Sequence, residues 1–236
     1  MAHQANVIAV IPARGGSQRI PRKNLLPLSG KPLIAHSIEH AKSSRSVSRV
    51  LVSTDDGEIA EISRQYGAEV IMRPPELAVA TATSESAIQH VLGLLQKQEG
   101  YQPDIIVFLQ CTSPVREPDD IDNAVRLFIE SGADSLFSVC RWNKFIWRRK
   151  GDKVESVNYD YKNRWREQDF PEQFMENGSI YVFKPNVLVE LNNRLGGKIE
   201  VYEMDFLSSF QIDSPEDIEV CEWILKRQRA GVSHAG

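Results

Sequence analysis

The segment Ile11 to Ile34 reads IPARGGSQRIPRKNLLPLSGKPLI and gathers the side chains best suited to chemistry in this chain. Arg14, Arg19, Arg22 and Lys23 set four cations within ten residues, with Gly15 and Gly16 between them. Glycines let main-chain amides approach an oxyanion without β-carbons in the way. Guanidinium forks match phosphate oxygens, and an ammonium balances charge that collects on a leaving pyrophosphate. The combination suits a polyphosphate. It is not the GxxxxGK[ST] loop of an ATPase, and the GxGxxG of a dinucleotide site is absent. A basic, solvated loop without a ligand is the plain alternative.

The rest of the 236 residues must position that loop. With 25% charged and 42% hydrophobic side chains, the composition is that of one sizeable globular domain. The net charge of −4 argues against a general affinity for nucleic acid or for an anionic membrane. Residues 1 to 38 nevertheless carry five basic side chains, the fifth being Lys31, and no acidic one. The first apolar run, Val7 to Ala13, is far shorter than the roughly 20 residues of a spanning helix and lacks a basic leader, so the cytoplasm is the default setting. Cys111, Cys140 and Cys221 lie far apart without zinc-ligand spacing, which predicts reduced, buried thiols.

Apolar runs bounded by turn residues alternate with stretches of helical period, the pattern of an α/β sheet made of βαβ units. Strands are expected at Asn6 to Pro12, Arg49 to Thr54, Glu69 to Arg73, Asp104 to Gln110, Asp134 to Cys140 and Ser179 to Lys184. Helices are expected at Pro32 to Ser44, Asp56 to Tyr66, Ser84 to Gln98, Pro118 to Ser131, Pro185 to Arg194 and Pro215 to Gln228. Gly67 and Gly132 suit left-handed helix ends, and Ser214 with Pro215, Glu216 and Asp217 suits a helix start. In the last helix Ile218, Cys221, Trp223, Ile224 and Leu225 form an apolar stripe predicted to face the core. Residues 141 to 176 break the rhythm with alternating aromatic and charged positions, among them Trp142, Trp147 and Trp165. They read as an inserted hairpin or arm, serving as a subunit contact or as a lid on its own domain. The division is thus a single domain over 1 to 229 with this arm inside it, and a flexible tail from 230 to 236.

Six short motifs in order then carry a resemblance: R-G-G-S-x-R-x-P-x-K-N in the first loop, VSTDD (Val52 to Asp56), RPPELA (Arg73 to Ala78), LQCTSPVR (Leu109 to Arg116), NGSIYVF (Asn177 to Phe183) and QIDSPEDIE (Gln211 to Glu219). Together they resemble the cytidylyltransferases that activate sialic acids and related nonulosonic acids. The resemblance implies a three-layer α/β/α, Rossmann-like nucleotidyltransferase fold with a mostly parallel sheet and an inserted dimerisation arm. It implies transfer of CMP from CTP to the 2-hydroxyl of an acid sugar with release of pyrophosphate, N-acylneuraminate being the leading acceptor. Legionaminate, pseudaminate, deaminated neuraminate and the eight-carbon 3-deoxy-octulosonate are alternatives. A protein that keeps the fold and binds nucleotide-sugar without transfer is an alternative of another class.

The same resemblance assigns Arg14, Gly15, Ser17, Arg22, Lys23 and Asn24 to the triphosphate and nucleotide, with Arg14 and Lys23 catalytic, and Arg73 to the cytidine portion. Thr81, Thr83 and Ser84 contact base or ribose, or else cap the helix that follows; Ala80 stands where the family often has aspartate. Gln110, Thr112, Ser113, Asn177, Tyr181 and Arg166 fall on acid-sugar positions, with Lys144 as a further cation of the arm and Arg116 either a contact or a loop brace. Cys111 has no role as a nucleophile in this chemistry. The family uses a divalent cation, usually magnesium, held by a D-x-D pair where this chain has Gln211-Ile212-Asp213, so the implied metal ligands are Asp213 and Gln211. Asp55 and Asp56 could order water or nucleotide, or start a helix. The implied partners are CTP, an acidic sugar and a second copy of the chain.

Overall fold

The computed structural model describes residues 5–17, 19–79 and 81–231. In chain order the first half runs β1 (Val7–Pro12), β2 (Pro27–Leu28), β3 (Lys31–Pro32), α1 (Leu33–Ser43), β4 (Arg49–Thr54), α2 (Gly57–Gln65), β5 (Glu69–Met72), α3 (Ser84–Glu99) and β6 (Ile105–Leu109). The second half continues with α4 (Asp120–Ser131), β7 (Ser135–Arg141), β8 (Trp147–Lys150), β9 (Lys153–Ser156), β10 (Phe174–Phe183), α5 (Pro185–Leu191), β11 (Ile199–Glu203) and α6 (Pro215–Arg229).

Seven of these strands form one sheet in the order β11-β7-β10-β6-β1-β4-β5. Its pairs are parallel except those of β10, which lies antiparallel to both β6 and β7. Continuous apolar strands such as VIAVIP follow from burial on both faces. Val7, Ala9 and Ile11 pack with Ile34 and Ile38 of α1, Ile59 of α2 and Phe128 of α4 on one side. Ile8 and Val10 pack with Ile88 and Val91 of α3 and Leu188 of α5 on the other. This is the three-layer α/β/α arrangement with a mostly parallel sheet that the sequence implies.

Helix ends are fixed by local chemistry. The Asp56 carboxylate accepts from the Glu58 and Ile59 amides, and the Thr83 hydroxyl accepts from the Ser86 amide. At α6 the Asp217 carboxylate reaches back to the amides of Asp213 and Ser214, a box worth on the order of 1 kcal/mol that also fixes the backbone at Asp213. Gly67 and Gly132 take the expected left-handed conformation, and the three cysteines are free and buried.

The structure corrects several expectations. β10 starts at Phe174 instead of Ser179, pairing Phe174, Met175 and Glu176 with the end of β7 before a bulge interrupts the ladder. The inserted arm is accordingly a hairpin of β8 and β9 with its flanking loops, set between Arg141 and Phe174. β11, an edge strand parallel to β7, has no counterpart in the expected elements. Trp223 does not face the core: it is half exposed and lies under the Arg227 guanidinium, while Cys221, Ile224 and Leu225 are buried. Two helical positions past Cys221 is a rotation of about 200°, which carries Trp223 to the solvent side. Of the expected tail, Ala230 and Gly231 still bond to the last turn of α6, and 232–236 lie outside the described residues. No helix among the described residues is long and apolar enough to cross a membrane.

Candidate active site

The chain leaves β1, builds β4 and β5 outward on one side, then crosses back to place β6 on the other side of β1. The loops after β1 and β6 therefore diverge at their carboxyl ends, where open α/β sheets hold ligands. A cavity of about 420 Å³ occupies that crevice, lined by Pro12, Arg14, Ser17, Arg19, Lys23 and Asn24 from the first side, and by Ser84, Phe108, Gln110, Cys111, Thr112 and Asp213 from the others. Residues distant in sequence thus meet: the phosphate-type loop, the loop after β6 and the segment before α6.

Lys23 is the best-placed cation. Arg22 takes a left-handed conformation (φ 54°, ψ 32°), a turn that sends the following side chain inward. The Lys23 ammonium donates to the Ile212 carbonyl at 2.7 Å and to the Asp213 carboxylate at 2.9 Å, with little of its side chain exposed. A buried ammonium needs such partners, and both come from the stretch before α6. Asn24 donates to the Arg14 carbonyl, closing the loop on itself. Arg14 also reaches the Val79 carbonyl at 3.3 Å. Arg19, not assigned a role by the resemblance, faces the other Asp213 oxygen at 3.6 Å.

The expected role of Arg22 is not supported by its position. Its guanidinium is turned to Asp56 and Glu58 at 3.2 and 2.6 Å, and it does not line the cavity. The Ile59 amide first, then Arg22, holds the Asp56 carboxyl below its usual range. Arg22 therefore secures the left-handed turn that delivers Lys23. We expect Arg19→Ala to raise about tenfold the KM for the nucleotide triphosphate that the resemblance implies and Arg22→Ala to act mainly on thermal stability, because a contact at the cavity and one with carboxylates outside it are separable. Steady-state kinetics beside thermal melts of both variants decide it, and equal kinetic defects contradict it.

The glycine loop also differs from expectation. The Gly15 amide donates to Asp55 at 3.0 Å and the Ser17 amide to the Gly15 carbonyl, so these two amides serve the loop itself. A β-carbon at Gly15 would stand 2.7 Å from an Asp56 carboxylate oxygen, which is why glycine is required there. Asp56 starts α2 as expected, whereas Asp55 holds the loop instead of a helix end. Arg73 lies outside the cavity lining: its guanidinium donates to the Ser53 carbonyl at 2.7 Å, the Ser53 hydroxyl and the Leu77 carbonyl, and burial lowers its pKa. Thr83 caps α3 while its neighbour Ser84 lines the cavity.

Of the acid-sugar positions, Gln110 and Thr112 line the cavity, and the Thr112 carbonyl accepts from the Ile212 amide at 2.8 Å, tying this loop to Asp213. Ser113 and Asn177 do not reach it. Both are fully buried, the Ser113 hydroxyl on the Gly178 carbonyl and the Asn177 amide among Ser138, Ser208 and Met204. They hold the β10 bulge, where Gly178 (φ 64°) leaves room for Gln211 and Gln110; a β-carbon there would lie 2.7 Å from the Gln211 amide nitrogen. Arg116 is a brace: it is buried and donates to Ser37 and to the carbonyls of Gln110 and Ser179, burial lowering its pKa to about 10. Tyr181 is buried against Phe108, and its hydroxyl donates to Glu176.

Arg166 pairs with Asp169 on the exposed arm, and Lys144 lines a separate cavity there with Trp142 and Phe170, so neither reaches the first cavity of its own chain. Cys111 lines the active cavity, but burial pushes its thiol up to about 12, leaving it protonated and unreactive near neutrality. Phe108 and Pro12 are lining residues that the motifs did not single out, and Arg19, a fixed position of the first motif, lines the cavity without having been given a role there.

For a divalent cation the donor set is small. No three acidic, histidine or cysteine side chains gather among the described residues. Asp213 presents a half-exposed carboxylate to the cavity, which fits magnesium, a cation that keeps several waters and bridges one or two carboxylates to substrate phosphates. Gln211 does not fit as expected. Its amide donates to the Asn177 carbonyl at 3.0 Å, and the side chain is outside the cavity lining.

Residues 8–233 match the family described as Cytidylyltransferase. The chain is 37% identical over 228 residues to N-acylneuraminate cytidylyltransferase A of Danio rerio, covering 95% of this chain and 50% of that one, so it spans about half the length of that relative. It is 30% identical to the pseudaminic acid cytidylyltransferase of Campylobacter jejuni, covering 93% of this chain and 96% of that one. A solved CMP:2-keto-3-deoxy-manno-octonic acid synthetase complexed with CTP superposes with a TM-score of 0.69 at 18% identity, over 95% of this chain and all of that one, a likeness of fold. With its fold, its cavity and the match over nearly its whole length, this chain belongs to the cytidylyltransferase family.

Proposed function

We propose that this chain transfers CMP from CTP to the 2-hydroxyl of a nonulosonic acid, giving the CMP-sugar and pyrophosphate, with an N-acylneuraminate as the acceptor. The observation that carries the reading is the single cavity in which Arg14, Ser17, Arg19, Lys23 and Asn24 face Gln110, Thr112 and Asp213. Two anionic substrates must be brought together and the hydroxyl set in line with the α-phosphorus. Lys23 and the arginines balance charge that grows on the pyrophosphate as its bond to the α-phosphorus breaks. The loop after β6 orients the sugar, whose hydroxyl oxygen bonds to phosphorus and releases its proton.

Magnesium is part of the proposal: Asp213 would hold it together with phosphate oxygens and water, where it would neutralise phosphate charge. A pseudaminate acceptor is the second reading, favoured by the full-length match to an enzyme of that name. The test is pyrophosphate release. It is expected to require CTP, an acid sugar and magnesium together, whereas tight CTP binding without release across a panel of nonulosonic acids would support a binding protein instead.

A cytoplasmic setting goes with a CTP-consuming reaction, and the net charge of −4 argues against a general affinity for nucleic acid or an anionic membrane. A homodimer is proposed on the arm, which exposes Trp147, Tyr161, Val154 and Val157, more apolar surface than a free hairpin usually shows. In such a dimer Arg166 and Lys144 would serve the partner's cavity. Light scattering should give a dimer for the full chain and a monomer once the hairpin is shortened; a monomeric full-length protein contradicts this.

A further inference from the structure

We infer that Arg194 is a positioning residue for the acid-sugar side of the cavity, an inference that rests on the proposed transfer reaction. Phe108 is the one aromatic side chain that lines the cavity among the described residues, two positions before Gln110. Its ring stacks on Tyr181 with centroids 5.3 Å apart and planes 18° from parallel. The Arg194 guanidinium carbon sits over both rings, 4.9 Å from the Phe108 centroid and 4.8 Å from that of Tyr181. Its Nε donates to the Glu85 carboxylate at 2.7 Å. Glu85 is in the first turn of α3, directly after Ser84, another residue of the cavity wall.

One guanidinium therefore ties together a ring wall and a helix start that both border the cavity. The pair is largely withdrawn from water, with side-chain exposures of 21% for Arg194 and 11% for Glu85. Its geometry is accordingly held more firmly than that of an exposed ion pair, and cation–π attraction over the two rings adds to it. The loop carrying Arg194 is itself anchored: Gln89 donates to Asn192, the Gly196 amide to the Ser135 hydroxyl, and the Lys198 amide to Asp134. Arg194 is thus fixed from its own loop and fixes the cavity wall in turn. Without it, the Phe108 ring and the start of α3 lose a common brace beside Gln110. Small displacements of substrate at a reacting centre cost rate or affinity out of proportion to their size.

The test compares Arg194→Ala, Arg194→Lys, Glu85→Gln and the Arg194→Ala/Glu85→Gln double variant with wild type by pyrophosphate release and by CTP binding. Arg194→Ala should raise the KM for the acid sugar about tenfold through Phe108 and Gln110, while the KM for CTP, reached only through Ser84, rises by no more than about threefold. Lysine should restore most of the loss, since it keeps a cation above the rings and near Glu85. The double variant should be no worse than Arg194→Ala alone, because both remove one brace. Equal rises in both KM values, a loss that lysine does not relieve, additive defects, or no change overturn the inference. Should Arg194→Ala fail to fold, Glu85→Gln alone must reproduce the selective rise in sugar KM, or the inference falls. If wild type binds CTP but releases no pyrophosphate with any acid sugar, the transfer reading falls and this inference with it. If wild type is active and the variants match it, this inference alone is lost.

Discussion

Replacing Lys23 by alanine should lower kcat at saturating CTP and acid sugar by about 100- to 1,000-fold, equivalent to about 2.7–4 kcal/mol of transition-state stabilisation. Among the described residues the Lys23 ammonium is the cation that is both buried and aimed into the cavity by two fixed partners, the Ile212 carbonyl and Asp213. Such a group needs no reorganisation as charge develops on departing pyrophosphate. Its removal leaves the half-exposed Asp213 carboxylate without one partner and the Ile212 carbonyl without one donor. The buried Ile212 carbonyl left without its donor costs about 1–3 kcal/mol and the half-exposed carboxylate about 1 kcal/mol at most, so the melting temperature should fall by roughly 5–10 °C. Kinetics and thermal unfolding of the same preparation separate the two effects, and unimpaired turnover at saturation contradicts the catalytic role.

The second large effect is expected at Asp213. Asparagine preserves the shape and can still accept from Lys23, but it removes the negative charge that a divalent cation requires. Asp213→Asn should therefore lower turnover about 100-fold and move the magnesium dependence to higher concentration. Each Asp213 oxygen faces a cation, Lys23 on one and Arg19 on the other, and Gln211 supplies no second carboxylate. A chelator should stop the wild-type reaction reversibly. A variant with reduced turnover but an unchanged magnesium profile would show that Asp213 acts only by holding Lys23.

The sheet could be read from sequence because its strands are covered on both sides. Short runs such as VIAVIP and IIVFL, bounded by turn residues, suit strands buried on both faces of a sheet. β11 escaped because an edge strand keeps charges: IEVYE is half exposed, and nothing in its composition separates it from a loop. The early start of β10 was hidden by the bulge at Gly178, which interrupts the alternation that marks a strand.

Within the site, sequence order located the right loops but not the direction of each side chain. Arg19 and Arg22 are three residues apart in the same basic segment, yet the left-handed turn at Arg22 sends it to Asp56 and leaves Arg19 beside Asp213. Asn177 and Ser113 stand in motifs that border the cavity, but their polar groups satisfy buried backbone and side-chain partners behind it. Arg194 belongs to no short motif. Its role depends on Phe108, Tyr181 and Glu85 converging from three elements distant in sequence, which only the folded chain brings together.

In the proposed reaction the acid sugar's own 2-hydroxyl oxygen attacks the α-phosphorus of CTP in the cavity between β1 and β6. Mass spectrometry of the products formed from CTP and an N-acylneuraminate labelled with ¹⁸O at that hydroxyl tests it most directly. We expect a CMP-sugar that retains the label and unlabelled pyrophosphate. Consumption of CTP without a sugar-nucleotide product, or a CMP-sugar that has lost the label, would contradict it.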